Sequence, residues 1–245
     1  MTTIAVLPEP PVEQCAPALL PEQFSTDDQV ALYRAMVADV CDAVTHGGAD
    51  LLVNYRQPES VPDGVDPERS LRDLLDEELP EPGEVRYEVQ VGESYSGRVG
   101  NALTHLLEAE GEPTAAVIEP TAVFVRREHI GQSAMKLRQS DVVLGPAPDG
   151  RVYFAAFGAP IDFTDCYAPP AIETLAERGV EADLDVSFLP MTPVVEGSED
   201  LPTAVSHLRA RNRAGKLVPP RTTALVEQWG LAASPDGVRA EAPGE

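Results

Sequence analysis

The chain has 245 residues, of which 43% are hydrophobic and 5% aromatic, and this composition excludes an intrinsically disordered protein. It carries 41 acidic against 18 basic residues, a net charge of −23, which argues against a nucleic-acid partner because binding to phosphates needs a basic surface. The acidic residues are spread along the whole chain, as in a halophilic protein whose self-repulsion is screened by a high-salt cytoplasm.

Three cysteines, Cys15, Cys41 and Cys166, are widely spaced and form no C-x-x-C pair. We therefore expect neither a disulfide framework nor a zinc site. The N-terminus lacks the basic and apolar regions of a signal peptide, and no apolar run approaches the about 18 residues that cross a bilayer. These features predict a cytoplasmic protein with no membrane partner.

The predicted elements alternate between strands and helices along the chain. In order, they are a strand in TIAVLPEP, a helix in STDDQVALYRAMVADVCDAVTHGG, a strand in ADLLVNYR, a helix in DPERSLRDLLDEEL, a strand in EVRYEVQVG, a helix in SGRVGNALTHLLEAEG, a strand in TAAVIEP, a helix in REHIGQSAMKLRQ, two strands in SDVVLGP and RVYFAAFG, a helix in PPAIETLAERG, a strand in ADLDVSFLP, and helices in SEDLPTAVSHLRARNRA and PPRTTALVEQWGL. This alternation predicts an α/β sandwich with a mostly parallel sheet.

The first helix has the clearest signals. Ser25 or Thr26 can cap its N-terminus, Asp27 and Asp28 suit its positive end, and Gly47–Gly48 ends it. Apolar residues at intervals of three and four give one core-facing stripe. The stripe comprises Val30, Tyr33, Met36, Val37, Val40, Cys41 and Val44.

We expect one domain over residues 1–231 and a disordered tail over residues 232–245, which are polar and rich in Pro and Gly. In parallel α/β sheets, ligands bind beyond the carboxyl ends of the strands. The loops at these ends follow Leu7, Val91, Ile118 and Leu144.

The chain lacks complete forms of two kinds of common active-site motif, the nucleophile elbow and the phosphate-binding loop. The run 92–96, GESYS, lies where a hydrolase carries G-x-S-x-G, but its second glycine is replaced by Ser96, which favours a serine-rich helix start. Neither G-x-x-x-x-G-K-[ST] nor G-x-G-x-x-G occurs, and the first loop, PEPPVEQCAPALL, has no cation for phosphates.

Acidic residues at strand ends are candidate ligands for a divalent cation, which takes oxygen ligands. Glu119 follows the buried strand AAVI directly, and metal binding and simple capping of the next loop are about equally supported. Glu196, Glu199 and Asp200 precede a helix, where N-terminal capping is the favoured interpretation. The four histidines form no spaced pair.

The segment LGPAPDGRVYFAAFG joins two predicted strands through a turn at Pro148, Asp149 and Gly150. Its order L-G-P-A-x-D-G, followed by Tyr153 and Gly158, and the run Gln90…Arg98 are motifs of a known group. The chain resembles the glycosyltransferase-A-like (nucleotide-diphospho-sugar transferase) family, in particular its arsenosugar-biosynthesis-glycosyltransferase-like group, over about residues 3–210. It is more distantly similar to the 2-phospho-L-lactate guanylyltransferases. Further matching stretches are LPEQFSTDDQVALYRAMVADV, QVGESYSGRVGNALTHLLEAEG, PPAIETLAERG and SEDLPTAVSHL.

The resemblance implies a three-layer sandwich and a set of site residues. Asp149 is the implied catalytic residue, near an acceptor. The implied metal ligands for Mg or Mn are Glu196 and, as a further candidate, Glu119. The implied substrate-binding residues are Gln90, Gly92, Gly97, Arg98, Gly145, Pro146 and Gly150.

The chain departs from the family at three places. EQCAPAL replaces a Lys-Thr-Arg-Leu segment, Thr121 stands where the family has its metal-binding Asp, and Arg151 stands where the family has a glycine. Three functions therefore stay open. They are glycosyl transfer from a nucleotide-activated sugar, a catalytically degenerate scaffold that binds or regulates, and nucleotidyl transfer of the guanylyl kind.

Overall fold

The computed structural model describes residues 2–234 and 237–240, and its centre is a seven-stranded sheet. The strands lie in the order β3-β2-β1-β4-β6-β5-β7, and β6 alone runs antiparallel to its neighbours in this sheet. The strand bounds are β1 Thr3–Val6, β2 Asp50–Tyr55, β3 Arg86–Val89, β4 Ala115–Ile118, β5 Val142–Pro146, β6 Val152–Phe157 and β7 Val186–Phe188. The predicted mostly parallel sheet is confirmed.

Helices cover both faces of the sheet, which confirms the three-layer α/β sandwich. Successive residues of a strand point to opposite faces, so that Ile4 and Val6 pack into one apolar core and Ala5 and Leu7 into the other. The helices are α1 Thr26–His46, α2 Pro67–Glu78, α3 Tyr95–Thr104, α4 Arg127–Lys136, α5 Ala171–Glu181, α6 Leu201–Arg213 and α7 Pro220–Gln228. Helices α3 and α5 cover the Ala5 face, and α1, α2, α6 and α7 cover the Ile4 face.

Helix α1 begins as its sequence predicts. Ser25 is the N-cap: its Oγ accepts from the backbone N–H of Asp28, and the Asp28 carboxylate accepts in return from the backbone N–H of Ser25. This reciprocal pair satisfies two N–H groups that a helix start otherwise leaves without a partner. Gly47 caps the other end of the helix.

The disorder predicted from residue 232 is wrong for residues 232–234 and 237–240. They form an antiparallel hairpin, β8 (Leu231–Ser234) with β9 (Gly237–Ala240), that packs against α6. Leu231 and Val238 are buried, so burial of a few apolar side chains outweighs the polar composition of the segment. The remaining residues of the predicted tail, 235–236 and 241–245, lie outside the described residues. Within the described part of the chain, no helix combines the length and the apolar character needed to cross a membrane.

Candidate functional site

A narrow cleft of about 180 Å³ lies at the carboxyl ends of β1 and β4. The loop after β1 contributes Leu7 and Glu9, and Glu119 follows β4 directly. Tyr95 comes from the first turn of α3, and Glu196 from the segment that precedes α6. Two of the four loops expected at the ligand-binding edge therefore meet in this cleft.

Glu119 is the central ionisable group of the cleft. Its carboxylate accepts a hydrogen bond from the Tyr95 hydroxyl at 2.8 Å. Burial raises the pKa of Glu119 to about 7, the negative charge of Glu196 adds to the rise, and Tyr95 and Arg151 oppose it. Burial also raises the pKa of Glu196. A carboxyl with a pKa near neutrality can accept or release a proton during a reaction.

Two buried hydroxyls near Glu119 have no hydrogen-bond partner among the described residues. They are Oη of Tyr167 and Oγ1 of Thr121. The rings of Tyr95 and Tyr167 meet edge to face, with 5.1 Å between their centroids. Because buried hydroxyls are normally hydrogen-bonded, a water molecule or a polar ligand beside Glu119 would satisfy these two atoms.

Arg151 lies beside the cleft and is surrounded by carboxylates. Its two terminal nitrogens donate to the two oxygens of Asp200 at 2.8 and 2.7 Å. Oε2 of Glu196 lies 3.6 Å from the guanidinium, and Oδ2 of Asp149 lies at 3.5 Å. The side chain of Asp149, the residue predicted to be catalytic, is 85% exposed. It therefore lies on the surface and not in the cleft with Glu119.

A second charged group lies at the carboxyl ends of β2 and β3. Arg56, the first residue after β2, pairs with Glu9 at 2.8 Å. Burial lowers the pKa of Arg98, and the positive charge of nearby Arg56 lowers it further. Nε of Arg98 is buried without a hydrogen-bond partner in the described structure, while one of its terminal nitrogens donates to the backbone oxygen of Glu93. Among the described residues, Glu9 is the one carboxylate that offsets the charge of these two guanidiniums, which leaves this edge of the sheet suited to bind a further anion.

The sequence predicted Arg98 as a substrate-binding residue but missed Arg56. The available signal was the position of Arg56 directly after a buried strand at the ligand-binding edge of the sheet. Tyr95 and Tyr167 were missed as well, because nothing in the sequence brings residues 72 positions apart together at Glu119.

The other predicted substrate contacts of this region shape the turn before α3. Gln90 is 3% exposed, and its amide nitrogen donates to the backbone oxygen of Asn54 at 2.7 Å. Gly92 has φ 125°, and a Cβ there would lie 3.0 Å from the backbone of Gly97. The N–H of Gly97 donates to Oγ of Ser94, the N-cap of α3. Ser94 is thus a helix cap, as expected when the hydrolase motif was set aside.

The predicted substrate-binding residues in the β5–β6 turn also stabilise the fold. A Cβ on Gly145 would lie 2.6 Å from the ring of Tyr153, which is fully buried. The backbone oxygen of Pro146 accepts from Thr192, which joins the turn to the segment after β7. Gly150 has φ 74°, and Pro170 lies against it. Whether these residues also touch a substrate stays a prediction.

The oxygen atoms around Glu196 do not fit the ligand set of a resident divalent cation. Such an ion takes several oxygen ligands at about 2.0 to 2.6 Å. Both oxygens of Asp200 already accept from Arg151, and the same guanidinium lies 3.6 Å from Glu196. Glu119 is hydrogen-bonded to Tyr95, and Thr121 offers only a neutral hydroxyl.

A group of side chains with the spacing of metal ligands lies outside the cleft. Over the described residues, Glu88, His105 and Glu110 form the only such group of three, with ligand atoms within 4.8 Å of one another. Arg86 donates to both glutamates, which explains the cluster without an ion.

Comparisons of sequence find no match to a protein-family model or to a curated protein. Comparisons of structure do. A proposed nucleotide-diphospho-sugar transferase from Desulfovibrio desulfuricans G20 superposes with a TM-score of 0.73 and 20% identity, over 93% of this chain and 94% of that protein. The 4-diphosphocytidyl-2C-methyl-D-erythritol synthase of Anaerococcus prevotii DSM 20548 superposes with a TM-score of 0.51 and 13% identity, over 85% and 98% of the two chains. The chain has the glycosyltransferase-A-like fold. At these identities the likeness establishes the fold alone.

Proposed function

We propose that the protein is a glycosyltransferase that binds a nucleotide-activated sugar and transfers the sugar to an acceptor hydroxyl. The observation that carries this proposal is the pair of guanidiniums, Arg56 and Arg98, at the carboxyl edge of the sheet. In a chain of net charge −23, two neighbouring cations that are offset by one carboxylate, Glu9, favour an anionic ligand.

The phosphates of the donor are the anionic group that this pair would bind. A phosphate at the terminal nitrogens of Arg98 would supply the negative charge that Glu9 alone does not give to the two guanidiniums. Arginine is suited to this role because its planar fork matches the geometry of phosphate. The fold supports the assignment, since the superposed protein from D. desulfuricans is described as a nucleotide-diphospho-sugar transferase.

Glu119 would act as the general base. The acceptor hydroxyl gives its proton to the carboxylate as its oxygen bonds to the sugar carbon, and the bond from that carbon to the nucleotide diphosphate breaks. A pKa of about 7 suits a group that must hold and release a proton near neutral pH. The negative charge that develops on the leaving diphosphate would be stabilised by the arginines.

Calorimetry tests the proposal with a panel of nucleoside diphosphates and nucleotide sugars, in molar salt, with and without Mn²⁺ or Mg²⁺. Arg98→Gln should weaken binding about 10- to 100-fold, because a hydrogen bond to a charged group contributes about 1.5 to 3 kcal/mol. Arg178→Gln is the matched control, since Arg178 pairs with Asp162 and Glu181 on the surface of α5. If no nucleotide binds, or if Arg98→Gln binds as wild type does, the proposal is wrong.

A second candidate is a scaffold that binds a nucleotide without catalysis. The contacts of Arg151 favour it, because Glu196 and Asp200 are then not free to hold a cation that would offset the charge on a leaving diphosphate. Release of nucleoside diphosphate from a bound nucleotide sugar, in the presence of acceptor alcohols, separates the two. Binding without release supports the scaffold, and release of pyrophosphate from a nucleoside triphosphate would instead support nucleotidyl transfer.

A further inference from the structure

Arg151 occupies the centre of an acidic group drawn from two separate segments. The group consists of Asp149 in the β5–β6 turn, Glu196 before α6, and Asp200 at the start of α6. The Arg151 side chain is only 18% exposed, so most of its charge is neutralised inside the protein rather than by water.

The guanidinium is held in place by every one of its nitrogens. Nε donates to the backbone oxygen of Pro148 at 3.1 Å, and the two terminal nitrogens bind Asp200 as a fork. Bidentate pairs of this kind fix the orientation as well as the distance. Asp200 is fixed in turn, since Oδ2 also accepts from the backbone N–H of Glu196 at 2.9 Å.

This arrangement leaves no room for a second cation. Burial opposes ionisation of Asp200, but its hydrogen bonds from Arg151 lower its pKa, so Asp200 stays charged and paired. A metal ion on Glu196 would lie within a few ångströms of a guanidinium that is 3.6 Å from the same carboxylate. Two positive charges at such a distance repel strongly where water is partly excluded.

We propose that the guanidinium of Arg151 takes the place of a divalent cation at Glu196 and Asp200, so that this site is metal-independent and acquires a metal-binding site only when Arg151 loses its charge. This inference deepens the proposed function and rests on it in one respect, because binding of the donor would then need no divalent cation. Glu196 and Asp200 then serve to hold the guanidinium, with Asp200 as a positioning residue.

Titration with Mn²⁺ tests the inference without any nucleotide. In about 1 M salt the Debye length is near 3 Å, so diffuse binding to the acidic surface is suppressed. Wild type should bind no Mn²⁺ in the micromolar range, as measured by calorimetry and by the electron paramagnetic resonance of free Mn²⁺. Arg151→Gln should bind one Mn²⁺ at least about tenfold more tightly, because it frees the carboxylates of Glu196 and Asp200.

Arg151→Lys separates charge from geometry, because it keeps the charge and loses the fork. It should bind Mn²⁺ no better than wild type, and the surface control Arg178→Gln should match wild type too. The inference is overturned if wild type binds one Mn²⁺ as tightly as Arg151→Gln, if Arg151→Lys acquires the ion, or if a folded Arg151→Gln does not. Circular dichroism establishes folding, and the wild-type and Arg151→Lys results decide the matter if Arg151→Gln does not fold.

Nucleotide titrations keep this inference distinct from the proposed function. If nucleotide sugars bind, their affinity for wild type should be unchanged by EDTA, and an EDTA-dependent loss of affinity overturns the metal-independent site. If no nucleotide binds at all, the proposed function fails, while the Mn²⁺ series still decides the role of Arg151.

Discussion

Replacing Glu119 by Gln should make the protein more stable at pH 8 but not at pH 4.5. In the folded protein burial raises the pKa of this carboxyl from 4.5 to about 7, so the native state binds its proton more tightly than the unfolded chain. The stability that this proton provides is complete below about pH 4.5 and is lost as the pH rises to about 7.

The structure sets the size of the effect. A pKa difference of about 2.5 corresponds to about 3 kcal/mol if it acts in full. Glu119 is only partly buried at the floor of an open cleft, so we expect about 2 kcal/mol. The Gln side chain keeps an oxygen that can accept from the Tyr95 hydroxyl, which limits the loss of packing and hydrogen bonding.

Urea unfolding followed by circular dichroism measures the effect at pH 4.5 and pH 8 in molar salt. Glu77→Gln is the control for loss of one carboxylate, because Glu77 is exposed and paired with Arg34 on the surface. A stability difference that is equal at both pH values, or a Glu119→Gln variant that is less stable at pH 8, would refute the reasoning from burial.

Two further predictions concern the scaffold. Gly145→Ala should lower the free energy of unfolding by about 1 to 3 kcal/mol, because its Cβ would meet the buried ring of Tyr153 at 2.6 Å. Urea unfolding measures this loss. Gly131→Ala is the control and should not destabilise the protein, because a Cβ there meets nothing within 4 Å. Asp39→Ala should lower the free energy of unfolding by about 1.5 to 3 kcal/mol in the same measurement, since this buried carboxylate accepts hydrogen bonds from the backbone and side chain of Arg221. A loss below about 0.5 kcal/mol would contradict that role.

The sequence predicts the fold well because the fold depends on local patterns. Helix α1 is predicted by Ser25, Asp28 and a continuous apolar stripe, and the central strands β1 and β4 are short apolar runs. The sequence does not predict the hairpin β8–β9, because the polar composition of this segment hides its strand pattern. Its few buried residues, among them Leu231 and Val238, are too short a signal against a polar background.

The site is less predictable because it is assembled from distant segments. Nothing local to Arg151 indicates that its guanidinium reaches Asp200, 49 residues further along the chain. Arg56 likewise meets Arg98 only because β2 and β3 lie side by side with their carboxyl ends at one edge. Such encounters follow from strand order, which sequence patterns do not specify.

The position of Arg56 and Arg98 within so acidic a molecule has a consequence for the speed of substrate encounter. At low salt, a phosphate-bearing ligand approaches a surface of net charge −23 and is repelled before it reaches the two guanidiniums. Rising salt removes the long-range repulsion first, since contacts at a few ångströms are screened least. The association rate of an anionic ligand should therefore increase with ionic strength, the reverse of the behaviour of a protein that steers its substrate electrostatically.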